Sequence, residues 1–537
     1  MHLAPSPPPF PFLRKTCAPA LPAGLFECEM VLFQPTTSRL IAPKDISRNL
    51  LPLRSTLREV LERLNTGVQG VILMVDDEGC LRGLFTDGDA RRALLGGASL
   101  DAGAEAYMTR KFTAGSVRAS RQENLRLLNE KIRHLPLLDD SGRPVDLITW
   151  AELWRLPIME PSLGGNELKY VSDCIASNWI SSQGKYVTSF EDAFKTFVGS
   201  QSALCVSSGT TALHLALAAL EIGNGDEVIM PDLTFAATAN VVIHRGGVPV
   251  LADVSRETWT LDPGQIEQKI TDRTRAIMPV HLYGHPCDMD PILDIASRHG
   301  LKVIEDCAES LGAQYKGRQT GTMGDVGCFS FFANKVITTG EGGMVTTLDP
   351  ALHSKMAILR DHGMSKEKRY WHLYPGYNYR MTNLQAAVGL AQMERIQDFL
   401  AHRADVVARY NEHLGRLRGF QLPPCASWAH NIYWLYSLVI DEAEAGITRA
   451  ELAAKLAERG IETRPFFYPV HIQPPYLAFA KGDFSTTEWL SDRGLSLPTA
   501  NDILLEDVDR VCNAIEEIVS YRRVVSDHMH GVAAGPV

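Results

Sequence analysis

Gly327-Cys328-Phe329-Ser330-Phe331-Phe332-Ala333-Asn334-Lys335-Val336-Ile337-Thr338-Thr339-Gly340-Glu341-Gly342-Gly343-Met344 sets one lysine between an aromatic, strand-forming run and a Thr/Gly-rich turn. Lysines mostly stay in water, and taken alone Lys335 reads as well as a solvated charge. Its neighbours point inward. Phe329, Phe331 and Phe332 are expected to be mostly buried, and Gly340, Gly342 and Gly343 let backbone approach another group closely. A lysine held in apolar surroundings loses its proton more readily and becomes a nucleophilic amine, the form that condenses with an aldehyde.

Upstream, Val303-Ile304-Glu305-Asp306-Cys307-Ala308-Glu309 places Asp306 just after an apolar strand. A lone Asp there is more often a helix cap. With Lys335 following 29 residues later, after another strand-like run, it suits a carboxylate facing a protonated pyridine nitrogen. Ser207-Ser208-Gly209-Thr210-Thr211 precedes an Ala/Leu helix over Ala212–Leu220. Small residues at a helix N-terminus expose N–H groups to an anion, although an ordinary Ser/Thr cap explains this stretch equally well. Ser330 offers a further hydroxyl. Phe235, in Pro231-Asp232-Leu233-Thr234-Phe235, offers an aromatic face, and core packing is the commoner use of such a ring. A lysine, an acid, an anion cradle and an apolar face are what pyridoxal phosphate requires of a protein.

Residues 158–400 alternate helical and strand patterns, with strands at Glu227–Met230, Val248–Val254, Ala276–Val280 and Leu301–Ile304. The expected fold class is α/β, with a mostly parallel sheet whose carboxyl edge carries Asp306 and the turn at His281. Residues 401–525 read as a smaller α+β domain, and 526–537 as a loose tail. Residues 1–44 are Pro-rich without periodicity and read as a disordered tail, with Met30 a candidate start. Residues 45–157 contain an internal repeat. Val75-Asp76-Asp77-Glu78-Gly79 matches Leu138-Asp139-Asp140-Ser141-Gly142, and Gly83-Leu84-Phe85-Thr86 matches Asp146-Leu147-Ile148-Thr149 at the same offset.

The chain has 537 residues, 45% of them hydrophobic and 22% charged, with a net charge of −10. A phosphate-backbone partner wants a basic surface, so nucleic acid is disfavoured. No apolar run reaches the length of a membrane span. The ten cysteines lack metal-type pairing, which points to free thiols in a reducing cytoplasm and to no metal. Cys287 and Cys307 fall near site segments but read as small buried hydrophobes.

The repeat resembles a CBS-domain pair. That resemblance implies a cleft for an adenine nucleotide or nucleotide sugar, with Thr86 and Asp89 of Thr86-Asp87-Gly88-Asp89, and Thr149, touching the ligand. A purely structural pair fits the sequence as well.

Ser208-Gly209-Thr210-Thr211-Ala212-Leu213, Thr234-Phe235-Ala236-Ala237-Thr238-Ala239-Asn240, Val280-His281-Leu282-Tyr283-Gly284, Glu305-Asp306, Phe329 to Lys335, and Gly376-Tyr377-Asn378-Tyr379-Arg380-Met381 occur in one order. In these motifs the chain resembles the DegT/DnrJ/EryC1/StrS aminotransferases, fold-type I pyridoxal phosphate enzymes that aminate nucleotide-linked keto sugars. The resemblance implies that Lys335 carries the cofactor and moves protons, and that Asp306 holds the pyridine nitrogen. Ser208, Gly209, Thr210 and Ser330 would bind the phosphate, and Phe235 would stack on the ring. Asn378 would reach the phosphate from a partner subunit, making the active unit a homodimer.

Glu309, which the resemblance places among the cofactor-binding residues, stands where many members have Gln. That acid occurs in the perosamine synthase branch, which His281 to Met289, Asp361-His362-Gly363-Met364 and Tyr370-Trp371-His372 also resemble, and the resemblance implies GDP-4-keto-6-deoxymannose as acceptor and L-glutamate as donor. Substrate contacts are expected from Trp179, Ser182, Gly184, His281 and Arg464, although a surface arginine explains Arg464 as readily. A dehydratase branch carries histidine at the lysine position, so Lys335 argues against it. A C3-aminotransferase, or an enzyme acting on a dTDP or UDP sugar, stays open. A nucleotide-sensing protein with a decayed catalytic domain is disfavoured by the intact Lys335, Asp306 and Gly209-Thr210 set.

Overall fold

The computed structural model describes residues 46–66, 70–119, 124, 127–128, 131–150 and 156–532. The Pro-rich stretch read as a disordered tail lies outside them.

The repeat is structural as well as sequential. β1 (Leu50–Pro52) runs parallel to β2 (Val71–Val75), which runs antiparallel to β3 (Leu81–Thr86). β4 (Gly115–Ser116), β5 (His134–Leu138) and β6 (Pro144–Thr149) pair in the same senses. β5 and β6 lie 63 residues after β2 and β3 at both ends, and the register slips at Met74/Val75 and again at Leu137/Leu138. The turn glycines Gly79 (φ 83°) and Gly142 (φ 80°) share the left-handed conformation that fixes this hairpin. The helix Leu57–Asn65 buries Leu57, Val60 and Leu64, the stripe its spacing predicts.

The large unit is built on a seven-stranded sheet. Its strands are β7 (Ser202–Val206), β8 (Glu227–Pro231), β9 (Val248–Ala252), β10 (Thr274–Ile277), β11 (Lys302–Asp306), β14 (Val326–Ser330) and β15 (Gly343–Thr347), in the order β7-β15-β14-β11-β10-β8-β9. β9, β8, β10, β11 and β14 are mutually parallel, and β15 is antiparallel to both β14 and β7. The carboxyl ends of β7, β8, β10, β11 and β14 therefore share one edge. A strand covered on both faces is mostly apolar, and β8 is buried at every position, its one acid, Glu227, being paired with Arg273. Between β11 and β14 lie the short β12 (Gln314–Tyr315) and β13 (Arg318–Gln319).

The smaller unit carries β16 (Phe420–Gln421), β18 (Tyr436–Ile440), β19 (Arg464–Pro465) and β20 (Gly494–Leu497) as an antiparallel sheet, while β17 (Ala429–His430) pairs with β12. The division placed at residue 400 is not a division of the core. One apolar cluster runs from Phe190 and Phe194 through Phe329 and Phe331 to Leu438, Leu495 and Val511. Within it the Phe194 ring meets those of Phe329 and Phe331 at 5.0 and 5.6 Å, edge to face. Each buried Phe is worth about 1.5–3 kcal/mol in transfer. The burial of Phe329 and Phe331 fixes where β14 stops and where Lys335 begins. Phe332 departs from expectation: it is exposed, because β14 ends at Ser330 and the chain then turns. The last helix, Leu505–Val532, continues into the stretch read as a loose tail. No Gly or Pro interrupts residues 522–530. Among the described residues no helix is long and apolar enough to cross a membrane.

Candidate active site

A cavity of about 460 Å³ opens at the carboxyl edge of the sheet, between it and the β18–β20 unit. Five sequence-derived positions from four strand ends meet there: Gly209 after β7, Phe235 after β8, Asp306 at the end of β11, and Ser330 and Lys335 at and after the end of β14.

Lys335 is placed by a tight turn, its N–H donating to the Phe332 carbonyl at 2.9 Å. Its Nζ lies 3.6 Å from Glu309 Oε1 and 3.8 Å from the centre of the Trp434 ring. Trp434 Nε1 donates to the Asn334 carbonyl at 2.8 Å, so one indole holds both the turn and the amine. Burial lowers the Lys335 pKa, and the Glu309 and Asp306 charges oppose this. Glu309 is pushed up to about 7 by burial against the pull of Lys335, and the Tyr283 N–H donates to its Oε2 at 2.9 Å. Both members of this pair are thus driven toward neutrality.

Asp306 is buried. Thr238 Oγ1 donates to its Oδ2 at 2.9 Å and the Ala308 N–H to its Oδ1 at 3.1 Å. Burial raises its pKa, while these two bonds favour the ionised form.

The helix Gly209–Ala219 begins at the cavity. Ser208 caps it by accepting from the Thr211 N–H, which leaves the Gly209 and Thr210 amides with no intrahelical acceptor. A Cβ on Gly209 would stand 2.7 Å from Ser330 Cβ, and one on Gly343 would stand 2.5 Å from the Ser208 carbonyl oxygen. Glycine at both positions is what lets the helix start, β14 and β15 converge. Phe235 is largely exposed, with its ring 5.8 Å from that of Phe467. Asn334 Oδ1, at the cavity wall, is buried without a hydrogen-bond partner among the described residues. A desolvated amine, a buried carboxylate, free amides with a hydroxyl, and an apolar wall fit pyridoxal phosphate.

Arg464, on β19, also lines the cavity, with Glu462 Oε1 3.7 Å from its guanidinium. His281 is corrected. It is fully buried, with Nε2 3.1 Å from Glu305 Oε2 and Nδ1 accepting from the Cys287 N–H at 2.9 Å, and so is closed to substrate. His281, Glu305 and Cys307 cluster, yet Glu305 is already saturated by the amides of Gly321, Met323 and Gly324, so the cluster is a structural pin. Trp179, Ser182 and Gly184 lie outside the lining of this chain's cavity. Their segment is strapped to Asn383, whose side chain donates to the Trp179 carbonyl, and a Cβ on Gly184 would meet that side chain at 2.0 Å. Asn378 is exposed, outside the same cavity, and accepts from Arg380.

In the repeat, Thr86 and Asp89 form a capping box on the helix Asp87–Leu95. The Thr86 N–H and hydroxyl donate to Asp89 Oδ2 at 2.9 and 2.7 Å, and Oδ1 takes Arg92 and Thr109. The groups expected to face a ligand are therefore spent on the cap. Thr149, at the end of β6, is buried.

Sequence reading missed Thr238, Tyr283 and Trp434 as site residues. Thr238 was legible from its position four residues after Thr234, at the start of the helix Ala237–His244 that follows β8, the two hydroxyls being 2.9 Å apart. Trp434 lies within an apolar, strand-like run from Ile432 to Ile440. Tyr433 takes a left-handed φ of 47°, so β18 begins only at Tyr436 and Trp434 lies at the cavity.

The sequence profile of the DegT/DnrJ/EryC1/StrS aminotransferase family matches residues 161–516, and that of the CBS domain matches 44–96. GDP-perosamine synthase of Caulobacter vibrioides is 48% identical over 370 residues, 69% of this chain and 100% of that protein. GDP-perosamine synthase of Escherichia coli O157:H7 is 45% identical over 68% of this chain and 99% of that protein. Among solved structures, a putative sugar aminotransferase of Streptococcus pneumoniae in its PMP form superposes with a TM-score of 0.66 at 27% identity, covering 70% of this chain and all of that one. The chain belongs to the DegT/DnrJ/EryC1/StrS aminotransferase family and is a pyridoxal phosphate-dependent sugar aminotransferase preceded by a CBS domain.

Proposed function

We propose that the protein moves an amino group from L-glutamate to the C4 carbonyl of GDP-4-keto-6-deoxymannose, forming GDP-perosamine. The observation that carries this reading is Lys335 set against Glu309 and beside Asp306 at one cavity, in a chain 69% of which aligns with the whole length of a GDP-perosamine synthase.

Bound pyridoxal phosphate would supply the electron sink for the carbon that loses its proton. Asp306 would hold the pyridine nitrogen as an ionised partner. Gly209, Thr210 and Ser330 would hold the phosphate, with the helix dipole favouring its charge. Phe235 would wall one ring face. The desolvated Nζ of Lys335 would take the proton from the donor's α-carbon and return it in the second half of the exchange. Arg464, the cavity's guanidinium, suits the donor carboxylate or the sugar diphosphate.

The exposure of Asn378, alongside exposed Tyr370, Trp371, Leu373 and Tyr374, supports a homodimer in which Asn378 serves the partner's phosphate site. For the repeat, the closed Thr86–Asp89 cap favours a structural role over ligand contact at those two residues. Purified protein loaded with cofactor should show a visible absorbance band that Lys335→Ala removes. A colourless loaded wild type would overturn the reading.

A further inference from the structure

We infer that Glu309 is the proton acceptor for Lys335, so that the two share one proton and the amine becomes a free base without releasing that proton to solvent. The proposal rests on Lys335 being the reactive amine.

The geometry is a three-sided enclosure. Nζ faces Glu309 Oε1 at 3.6 Å on one side and the Trp434 ring at 3.8 Å on another. Trp434 also holds the Asn334 carbonyl at 2.8 Å, which restrains the amine from swinging off the carboxylate. Glu309 is held in turn by the Tyr283 N–H on its other oxygen, leaving Oε1 for Lys335. Both side chains are largely or wholly withdrawn from water, at 13% and 5% exposure. An ion pair there bears the desolvation cost of two charges, whereas the neutral pair bears neither. The charged and titratable groups bearing on the pair are Asp306 at the end of β11, Arg464 on β19 and Tyr283 on the loop after β10. Burial pushes Glu309 up and Lys335 down, which brings the two proton affinities toward each other.

The step balances within the pair. An Nζ–H bond breaks, an Oε1–H bond forms, and the electron pair stays on nitrogen. The net charge is zero before and after. Glutamine at this position accepts no proton, so the acid at 309 gives this chain a resident proton store beside its reactive amine.

Two interacting groups titrate in two macroscopic steps. The test is pH-dependent amine labelling of Lys335 in the cofactor-stripped full-length chain, read by mass spectrometry of the Lys335 peptide. The rate of visible-band formation on re-adding pyridoxal phosphate is a second readout. For the wild type both are expected to rise in two steps separated by a plateau, the plateau being the fraction with the proton on Glu309. Glu309→Gln is expected to give a single step, and Glu309→Asp to restore two. A single wild-type step superposable on that of Glu309→Gln would overturn the proposal. If Glu309→Gln fails to fold, the wild-type profile alone decides between two steps and one. Failure of Lys335→Ala to abolish the band would instead remove the underlying assignment of Lys335.

Discussion

The Thr238 hydroxyl donates to Asp306 Oδ2 at 2.9 Å, tying the helix after β8 to the acid that ends β11. Burial presses Asp306 toward its protonated form, and this bond is one of two that hold the ionised form. A hydrogen bond to a charged group contributes about 1.5–3 kcal/mol. Thr238→Val is therefore expected to lower kcat roughly ten- to hundredfold, from the same range and the rate relation. Asp306→Ala is expected to cost roughly a hundred- to a thousandfold or more, as for other buried electrostatic contacts to a reacting centre. Steady-state kinetics with unchanged circular dichroism checks both.

Glu309 sets a pH dependence of stability in the cofactor-free protein. Its pKa rises from an ordinary 4.5 to about 7, so the folded state holds a proton that the unfolded state has released across that window. Stability is then expected to fall as pH rises from about 4.5 to about 7, because the unfolded state binds fewer protons there. The Lys335 pKa is lowered, so between its folded value and 10.5 the unfolded state binds more protons and stability rises with pH. Urea unfolding across pH, in wild type and Glu309→Gln, should show the neutral-side fall in the wild type and lose it in the variant.

How much of this was readable before the fold was known differs by residue. Lys335, Asp306, Gly209, Ser330 and Phe235 were legible because each sits at a strand end or helix start, where local pattern fixes position. The 63-residue repeat offset was legible because hairpin turns need their glycines. His281 misled: it follows β10 at the same edge, but the next turn carries it under Glu305 and away from the cavity. Trp434 was invisible because one left-handed residue, Tyr433, holds off the start of a strand that periodicity would have begun earlier. Thr86 and Asp89 show the limit of motif reading, since a Ser/Thr-x-x-Asp element is also a capping box.

Arg464 is the cavity's guanidinium on an edge strand whose neighbours do not fix it tightly. Arg464→Ala is expected to raise KM for the substrate it binds by roughly tenfold to a hundredfold, with a smaller change in kcat, as for loss of a charge-assisted contact. Varying donor and acceptor separately identifies which of the two it holds.

The core that delimits the site predicts its own stability effect. Phe331→Ala, which removes a ring packed between Phe190 and Phe194, should cost about 3–5 kcal/mol in chemical denaturation. Asp89→Ala removes the N3 acceptor of the capping box in the repeat and should cost about 0.5–2 kcal/mol there, with transamination unchanged.

The central claim is tested most directly by mass spectrometry of full-length protein supplied with pyridoxal phosphate, nitrogen-15 glutamate and a panel of GDP-, dTDP- and UDP-linked 4-keto and 3-keto sugars. The account predicts labelled amino sugar from GDP-4-keto-6-deoxymannose and its loss with Lys335→Ala. Amination confined to a 3-keto sugar or to another nucleotide, or no amination of any, would contradict it.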